Sequence, residues 1–265
     1  MAKTLRQLDT RLLAYAQMRG LRTIAIGELR RPLRLSPRQE VELLSRMARS
    51  GVIARVRRGL YLVPPRLPLG GKWSPDEVLA LNTLIEDREG RYQICGPNAF
   101  NRYGFDEQIP TRVYAYNNRL SGDRAIGSAA FTLIKVADDR LGDTEVFETE
   151  EGLQAVYSSR VRTLVDAVYD WSRFDSVPRG YEWIRRELNT GRVDASELVR
   201  TTVRFGNQGT IRRIGALLQR EGISVRRLAR LQRALRPSTS LIPWIPTLAK
   251  RGKTDQRWGV VFNDE

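Results

Sequence analysis

Histidine is absent from this 265-residue chain, and cysteine occurs once, at Cys95. Without histidine there is no Ser-His or Cys-His nucleophile pair and no histidine-bearing zinc site. One cysteine supplies neither a multi-cysteine metal site nor an internal disulfide. A lone thiol in an apolar stretch fits a reducing compartment, and a cytoplasmic location is expected. No apolar run approaches the roughly 20 residues that span a bilayer. The opening stretch MAKTLRQLDTRLLAYA lacks the apolar core and small-residue cleavage site of an export signal. No Gly-rich loop ends in Lys-Ser or Lys-Thr, and the glycines of GPNAFNRYG are wrongly spaced for a phosphate cradle. The acids Asp138, Asp139, Glu148, Glu150 and Glu151 lie beside turns with no lysine placed to help them hold magnesium. They read as solvated loop charge, so no cofactor, no metal and no enzymatic activity is expected.

What the chain has in excess is positive charge, 45 Lys and Arg against 30 Asp and Glu, and it is unevenly spread. Residues 1–70 hold 15 basic and 4 acidic side chains, residues 71–176 hold 12 and 18, and residues 177–265 hold 18 and 8. A basic head and tail around an acidic middle suggest a polyanionic partner for the ends and another task between them. A hydrophobic fraction of 41% is enough for folded cores, and the length favours about two domains.

Leu5, Leu8, Leu12 and Tyr15 fall on one face of a first helix that ends by Gly20. TIAIGELRR reads as a short second helix offering Ile24, Ile26 and Leu29 to a core and stopped by Pro32. In SPRQEVELLSRMARSG the boundary signals are complete: Ser36 as N-cap, Pro37 at the first helical position, Gln39 closing a capping box and Gly51 as the stop. Val41, Leu43, Leu44, Met47 and Ala48 mark the apolar side of this helix, and Arg38, Glu42, Ser45 and Arg49 the polar side. GVIARVRRGLYLVP then makes a hairpin, with Gly59 where a left-handed residue is needed.

Helix, short helix, capped helix, hairpin is the order of a winged helix-turn-helix, in which the capped helix enters a major groove and the hairpin lies along neighbouring phosphates. Arg38 and Gln39 are the candidate base readers, since arginine pairs bidentately with guanine and glutamine with adenine. Arg46, Arg49, Arg55, Arg57 and Arg58 are candidate phosphate contacts. Arg30, Arg31, Arg34 and Ser45 complete the set expected to touch DNA. Winged helices also serve as protein–protein modules, and an arginine-rich turn can be a solvated sheet edge.

VPPRLPLGGKW, residues 63–73, reads as a linker. SPDEVLALNTLIED repeats the capping grammar with Ser74, Pro75 and Glu77, and is expected to bury Val78, Leu81, Leu84 and Ile85. Strands are expected at YQIC, TRVYAYN, AAFTLIKV, EVFE and LQAVYS. A helix over about 159–171 should turn Val161, Leu164, Val165 and Val168 inward, with Arg162 and Asp166 paired across one turn. Beyond residue 177 the chain reads as mainly helical. In SVRRLARLQRAL, Val225, Leu228, Leu231 and Leu235 form the apolar stripe and Arg226, Arg227, Arg230 and Arg233 the outer face. SLIPWIP and RWGVVFN look like closing strands on either side of the basic loop AKRGKTDQ. The expected fold is therefore α+β: a winged helix-turn-helix over 1–66 and a larger mixed domain over 67–265, helical toward its end, with a possible sub-boundary near 176.

Five stretches, taken in order, resemble the AbiEi-type antitoxins of type IV toxin–antitoxin systems: RVRRGLYLV, CGPNAFNRYGFDEQIPTRVYAY, SSRVRTLVDAV, RRIGALLQREG and RWGVVFN. The resemblance runs from about residue 10 to residue 262. It implies an N-terminal winged helix-turn-helix that binds inverted repeats and represses its own operon, and a C-terminal domain that counteracts a co-encoded nucleotidyltransferase toxin. It places Arg38 to Arg49 and Arg55 to Arg58 on the operator and implies two copies of the chain on the DNA. Arg162, Thr163, Leu164 and Asp166 match the family's Arg-Thr-Leu-Leu-Asp pattern, whereas Val161 stands where relatives often carry an acid. Two readings from other classes stay open: a nuclease carrying a DNA-binding head, and a stand-alone transcriptional regulator whose second domain senses a ligand or dimerises.

Overall fold

A computed structural model of the chain describes residues 7–66 and 72–264. Leu5 of the first helical face and the centre of the linker stretch, residues 67–71, lie outside the described residues. The chain divides into two compact units, each mixing helix and strand, so the fold is α+β. Met1–Tyr92, Thr111–Ala137 and Glu148–Ala155 form the first unit, and Gln93–Pro110, Asp138–Phe147 and Val156–Glu265 the second.

The first unit opens with α1 (Gln7–Met18), β1 (Thr23–Ala25), α2 (Arg30–Leu33), α3 (Pro37–Arg49), β2 (Ala54–Arg57) and β3 (Leu60–Leu62). The three strands form one sheet with β3 in the centre, antiparallel to both neighbours. The expected second helix is thus corrected. Thr23–Ala25 is a strand, because Ile24 pairs with Tyr61 and buries its side chain, and the helical turn starts only at Arg30. Pro32 lies inside that turn rather than ending it, since the first backbone N–H groups of a helix have no intrahelical acceptor to lose.

The capped helix is as expected. Ser36 Oγ accepts from Gln39 N at 3.3 Å, and Gln39 Oε1 accepts from Ser36 N at 2.8 Å. Gly51 follows with φ +75° and Gly59 turns the hairpin with φ +88°, the left-handed region that glycine enters without a Cβ clash. Leu12, Leu13 and Ala16 of α1 meet Ile24, Leu29, Leu33, Leu43, Leu44, Met47, Val52, Ile53, Tyr61 and Val63 in one core. Val41 does not join it, being 42% exposed. The fourth member of α3's buried face is instead Glu40.

Beyond the linker stretch, α4 (Glu77–Glu86) buries Ala80, Leu81, Leu84 and Ile85, with Val78 only partly covered. Its N-cap is Asp76, whose carboxylate accepts from Val78 N and Leu79 N, and not Ser74, whose hydroxyl bonds Ser128. Then β4 (Tyr92–Ile94) leaves this unit, and β5 (Val113–Asn117), β6 (Gly122–Ile126) and β7 (Ala129–Lys135) return to it. β7 runs parallel to β5 and antiparallel to β6, a strand the sequence pattern did not announce. The described ends of the linker stretch are docked: Val63 and Pro64 are buried, and Trp73 N donates to Gly51 O at 2.8 Å.

The second unit begins with Ile94 pairing parallel to Tyr157 and with α5 (Pro97–Arg102), a helix within the stretch GPNAFNRYG. A 3-10 turn (Asp138–Arg140), β8 (Thr144–Glu148) and β9 (Gln154–Ser158) precede α6 (Arg160–Tyr169), capped by Ser159. Next come α7 (Trp171–Phe174), α8 (Arg179–Asn189), α9 (Ala195–Phe205), α10 (Gln208–Arg220) and α11 (Val225–Ala234). On α11, Leu228 and Leu231 are buried and the four arginines exposed, but Val225 is 58% exposed and outside the core. β10 (Ile242–Pro243), β11 (Lys253–Asp255) and β12 (Val260–Phe262) close the chain. β12 is central, parallel to β10 and antiparallel to β11, so the expected basic loop carries a strand. Trp244 stacks on Tyr181 at 3.9 Å between ring centroids, and Trp258 lies against Gly215 of α10, where a Cβ would meet the indole ring at 2.3 Å. Among the described residues no helix is long and apolar enough to cross a membrane.

Candidate nucleic-acid interface

The arginines singled out in the first seventy residues fall into two groups: those already held by carboxylates and those left free. Arg30 pairs with Glu40 at 3.0 Å. Glu40 is fully buried, and its other oxygen accepts from Gly27 N at 2.9 Å and Leu29 N at 3.0 Å. One carboxylate thereby fixes the chain that leads into α2 against the start of α3, which an apolar residue there could not do. Sequence reasoning missed this residue. The available signal was the spacing 40, 43, 44, 47, a core-facing series whose first member is acidic.

Arg46 is half-buried and ion-paired with Asp9 of α1, so its charge is directed inward. Ser45 is also half-buried. Arg38 is 89% exposed and bonds Glu42, itself 63% exposed, at 2.9 Å, a solvated i,i+4 pair that a stronger anion can displace. Gln39 is exposed, but its side-chain oxygen accepts from the Ser36 amide, which ties the side chain to the cap of α3.

On the hairpin, Arg57 donates to both oxygens of Asp87, the C-cap residue of α4, and its other terminal nitrogen donates to Arg58 O at 2.9 Å. The hydrogen bonds from Arg57 hold the Asp87 carboxyl below its ordinary range and raise the guanidinium in turn. Arg31, Arg34, Arg55 and Arg58 are exposed and have no carboxylate partner among the described residues. Arg49, also exposed, reaches only Ser45 O of its own helix, at 3.4 Å. Arg34 adopts φ +53° and ψ +51° at the end of α2, a left-handed conformation that costs a side-chain-bearing residue on the order of 1 kcal/mol. Free guanidiniums, each with up to five donors, are suited to binding phosphate oxygens.

In the second unit, Arg162, Thr163, Leu164 and Asp166 are all buried. Arg162 Nε donates to Asp166 Oδ1 at 2.9 Å, and its two terminal nitrogens donate to Gly142 O and Arg140 O, each at 3.0 Å. The guanidinium lies 4.0 Å from the Phe205 ring centroid. Arg140 brings a second cation to the same Asp166 oxygen, at 3.2 Å, and bonds Phe205 O. Asp143 accepts from Ser159 Oγ and Thr201 Oγ1, both at 2.9 Å. These residues pin the segment 140–143 between α6 and α9, an internal clamp and not an exposed surface. Among the described residues, no group of three or more Cys, Asp or Glu is placed to hold a metal ion.

No family model matches this chain. No curated protein matches it either. Among solved structures, the crystal structure of the RV2827C protein from Mycobacterium tuberculosis is similar, with a TM-score of 0.56 over 98% of this chain and 92% of that one at 14% sequence identity. The likeness is one of fold.

Proposed function

We propose that the chain is a DNA-binding antitoxin of the AbiEi kind, which represses its own operon through inverted repeats and counteracts a co-encoded nucleotidyltransferase toxin, acting by binding and not by catalysis. In this reading residues 7–66 are a winged helix-turn-helix, with α3 as recognition helix and β2–β3 as wing. The observation that carries it is the combination of the order α1-β1-α2-α3-β2-β3 with five exposed cations, Arg31, Arg34, Arg49, Arg55 and Arg58, that the fold leaves without carboxylate partners among the described residues. Uncompensated positive charge gathered on neighbouring elements is the electrostatic footprint expected of a nucleic-acid partner. Arg38, which has no capping duty, is the principal base reader beside Gln39. The buried Arg162–Asp166 clamp supports the antitoxin role through the shape of the second unit, without touching the toxin.

Binding of the full chain to duplex DNA as salt is raised tests the first half. The affinity should fall with a slope of about −0.9 in log K against log salt per phosphate neutralised. Absent or salt-insensitive binding refutes it. Co-expression with the neighbouring gene tests the second half, and failure to rescue growth leaves the regulator alone.

A further inference from the structure

Within the first unit, where α3 ends and β2 begins, lies an open cleft of about 710 Å³. Its lining includes Arg49, Arg55, Lys72, Trp73, Ser74 and, from the turn between β6 and β7, Ser128. Among the described residues the lining holds three cations and no acid. All three are exposed, and neither Arg55 nor Lys72 has a carboxylate partner among the described residues. The cleft is held in shape by backbone and hydroxyl contacts: Trp73 N to Gly51 O at 2.8 Å, Ser128 N to Ser74 Oγ at 3.0 Å, and Ser74 Oγ to Ser128 Oγ at 2.5 Å.

We propose that this cleft carries the phosphodiester backbone of the DNA that flanks the site under α3, with Lys72 as a phosphate contact outside the winged module. The inference rests on the DNA-binding reading above. Arg49 and Arg55 belong to both the α3–wing face and the cleft, so a strand leaving that face meets continuous positive charge. Trp73, a half-buried residue of the lining, offers an apolar surface to a deoxyribose.

The test uses the full chain and a duplex selected by it from a random pool, once with about 8 base pairs of flank on each side and once trimmed to the protected core. Lys72→Ala should lose roughly fivefold in affinity on the long duplex, lower its salt slope by about 0.9, and match the wild type on the trimmed one. Lys72→Arg should restore binding, and thermal melting should be the same for all three proteins. Equal effects on both duplexes, or none, overturn the proposal. So does ADP, used as a free-nucleotide probe, if it binds the wild type and Lys72→Ala abolishes that binding without changing the affinity for the long duplex. If the wild type selects and binds no duplex at all, the DNA-binding reading fails first and takes this proposal with it.

Discussion

Arg57 of the hairpin holds Asp87 of α4 by two hydrogen bonds, Nε to Oδ2 at 2.6 Å and Nη2 to Oδ1 at 2.5 Å. The pair ties the wing to the next helix and cancels one of the charges the sequence offered to DNA. Arg57→Ala should therefore leave the salt slope of DNA binding unchanged, whereas Arg58→Ala should reduce it by about 0.9. Asp87→Asn should strengthen non-specific binding by releasing Arg57. Fluorescence anisotropy at several salt concentrations separates these outcomes, and equal slopes for Arg57→Ala and Arg58→Ala would show that the ion pair opens on DNA.

Gln39 has a capping duty that Arg38 lacks. Gln39→Ala should cost about 0.5–1 kcal/mol of stability through the lost capping box, with sequence preference little changed. Arg38→Ala should leave stability within about 0.5 kcal/mol and relax the preference at one base pair by about 1–3 kcal/mol. Urea unfolding and binding to single-base variants of the selected duplex measure the two effects. Stability loss on Arg38→Ala, or specificity loss on Gln39→Ala, would reverse the assignment.

Arg34 occupies a backbone conformation that glycine adopts freely. Arg34→Gly should keep or raise stability, by up to about 1 kcal/mol, while weakening DNA binding. Arg34→Ala should weaken binding to the same degree and be less stable than Arg34→Gly. If Arg34→Gly binds DNA as well as the wild type, the strained residue is not kept for its guanidinium.

Asp166 is the anion shared by Arg162 and Arg140. Asp166→Ala leaves two cations facing each other at a buried site and should destabilise the chain by about 3–5 kcal/mol. DNA binding by surviving folded protein should be unaffected, because the clamp lies in the second unit. Thermal melting and anisotropy on one sample check both parts.

Stability should fall at both extremes of pH. The carboxyls of Asp87, Asp123 and Asp194 titrate below their ordinary values, through hydrogen bonds from Arg57, from Thr132 and Arg112, and from the Ser196 amide respectively. Their contributions are in place above the unfolded value near 4 and disappear as pH drops through the lower folded values. Burial raises the Tyr103 and Tyr181 hydroxyls, so the unfolded chain ionises first and stability declines as pH climbs past about 10. Urea midpoints across pH would show a plateau between the two limits; a midpoint still rising above pH 10 contradicts the second.

What the sequence made legible was local. The capping box of α3, the left-handed Gly59 and the Arg162–Asp166 pair each depend on residues within four positions of one another, and all three stand in the structure. Thr23–Ala25 looked helical because its strand partner, Leu60–Leu62, comes much later in the chain. Arg46 and Arg57 looked free because Asp9 and Asp87 are distant in sequence. Free arginines cannot be told from paired ones until the fold has brought every carboxylate to its place, so the candidate set shrank from within and not at its edges. Ser74 lost the cap to Asp76 because Ser-Pro-Asp-Glu offers two capping side chains and only three-dimensional neighbours choose between them.

Among the described residues, the core built by α1, α2, α3 and the hairpin draws its buried side chains from Leu12 to Val63, whereas the second unit's last sheet has β12 at its centre and Trp258 seated on Gly215. During synthesis the head can close as soon as its short stretch has left the ribosome. The second unit cannot be completed until Val260–Phe262 have emerged. A chain stalled before β12 would then carry a finished head on an unfinished body.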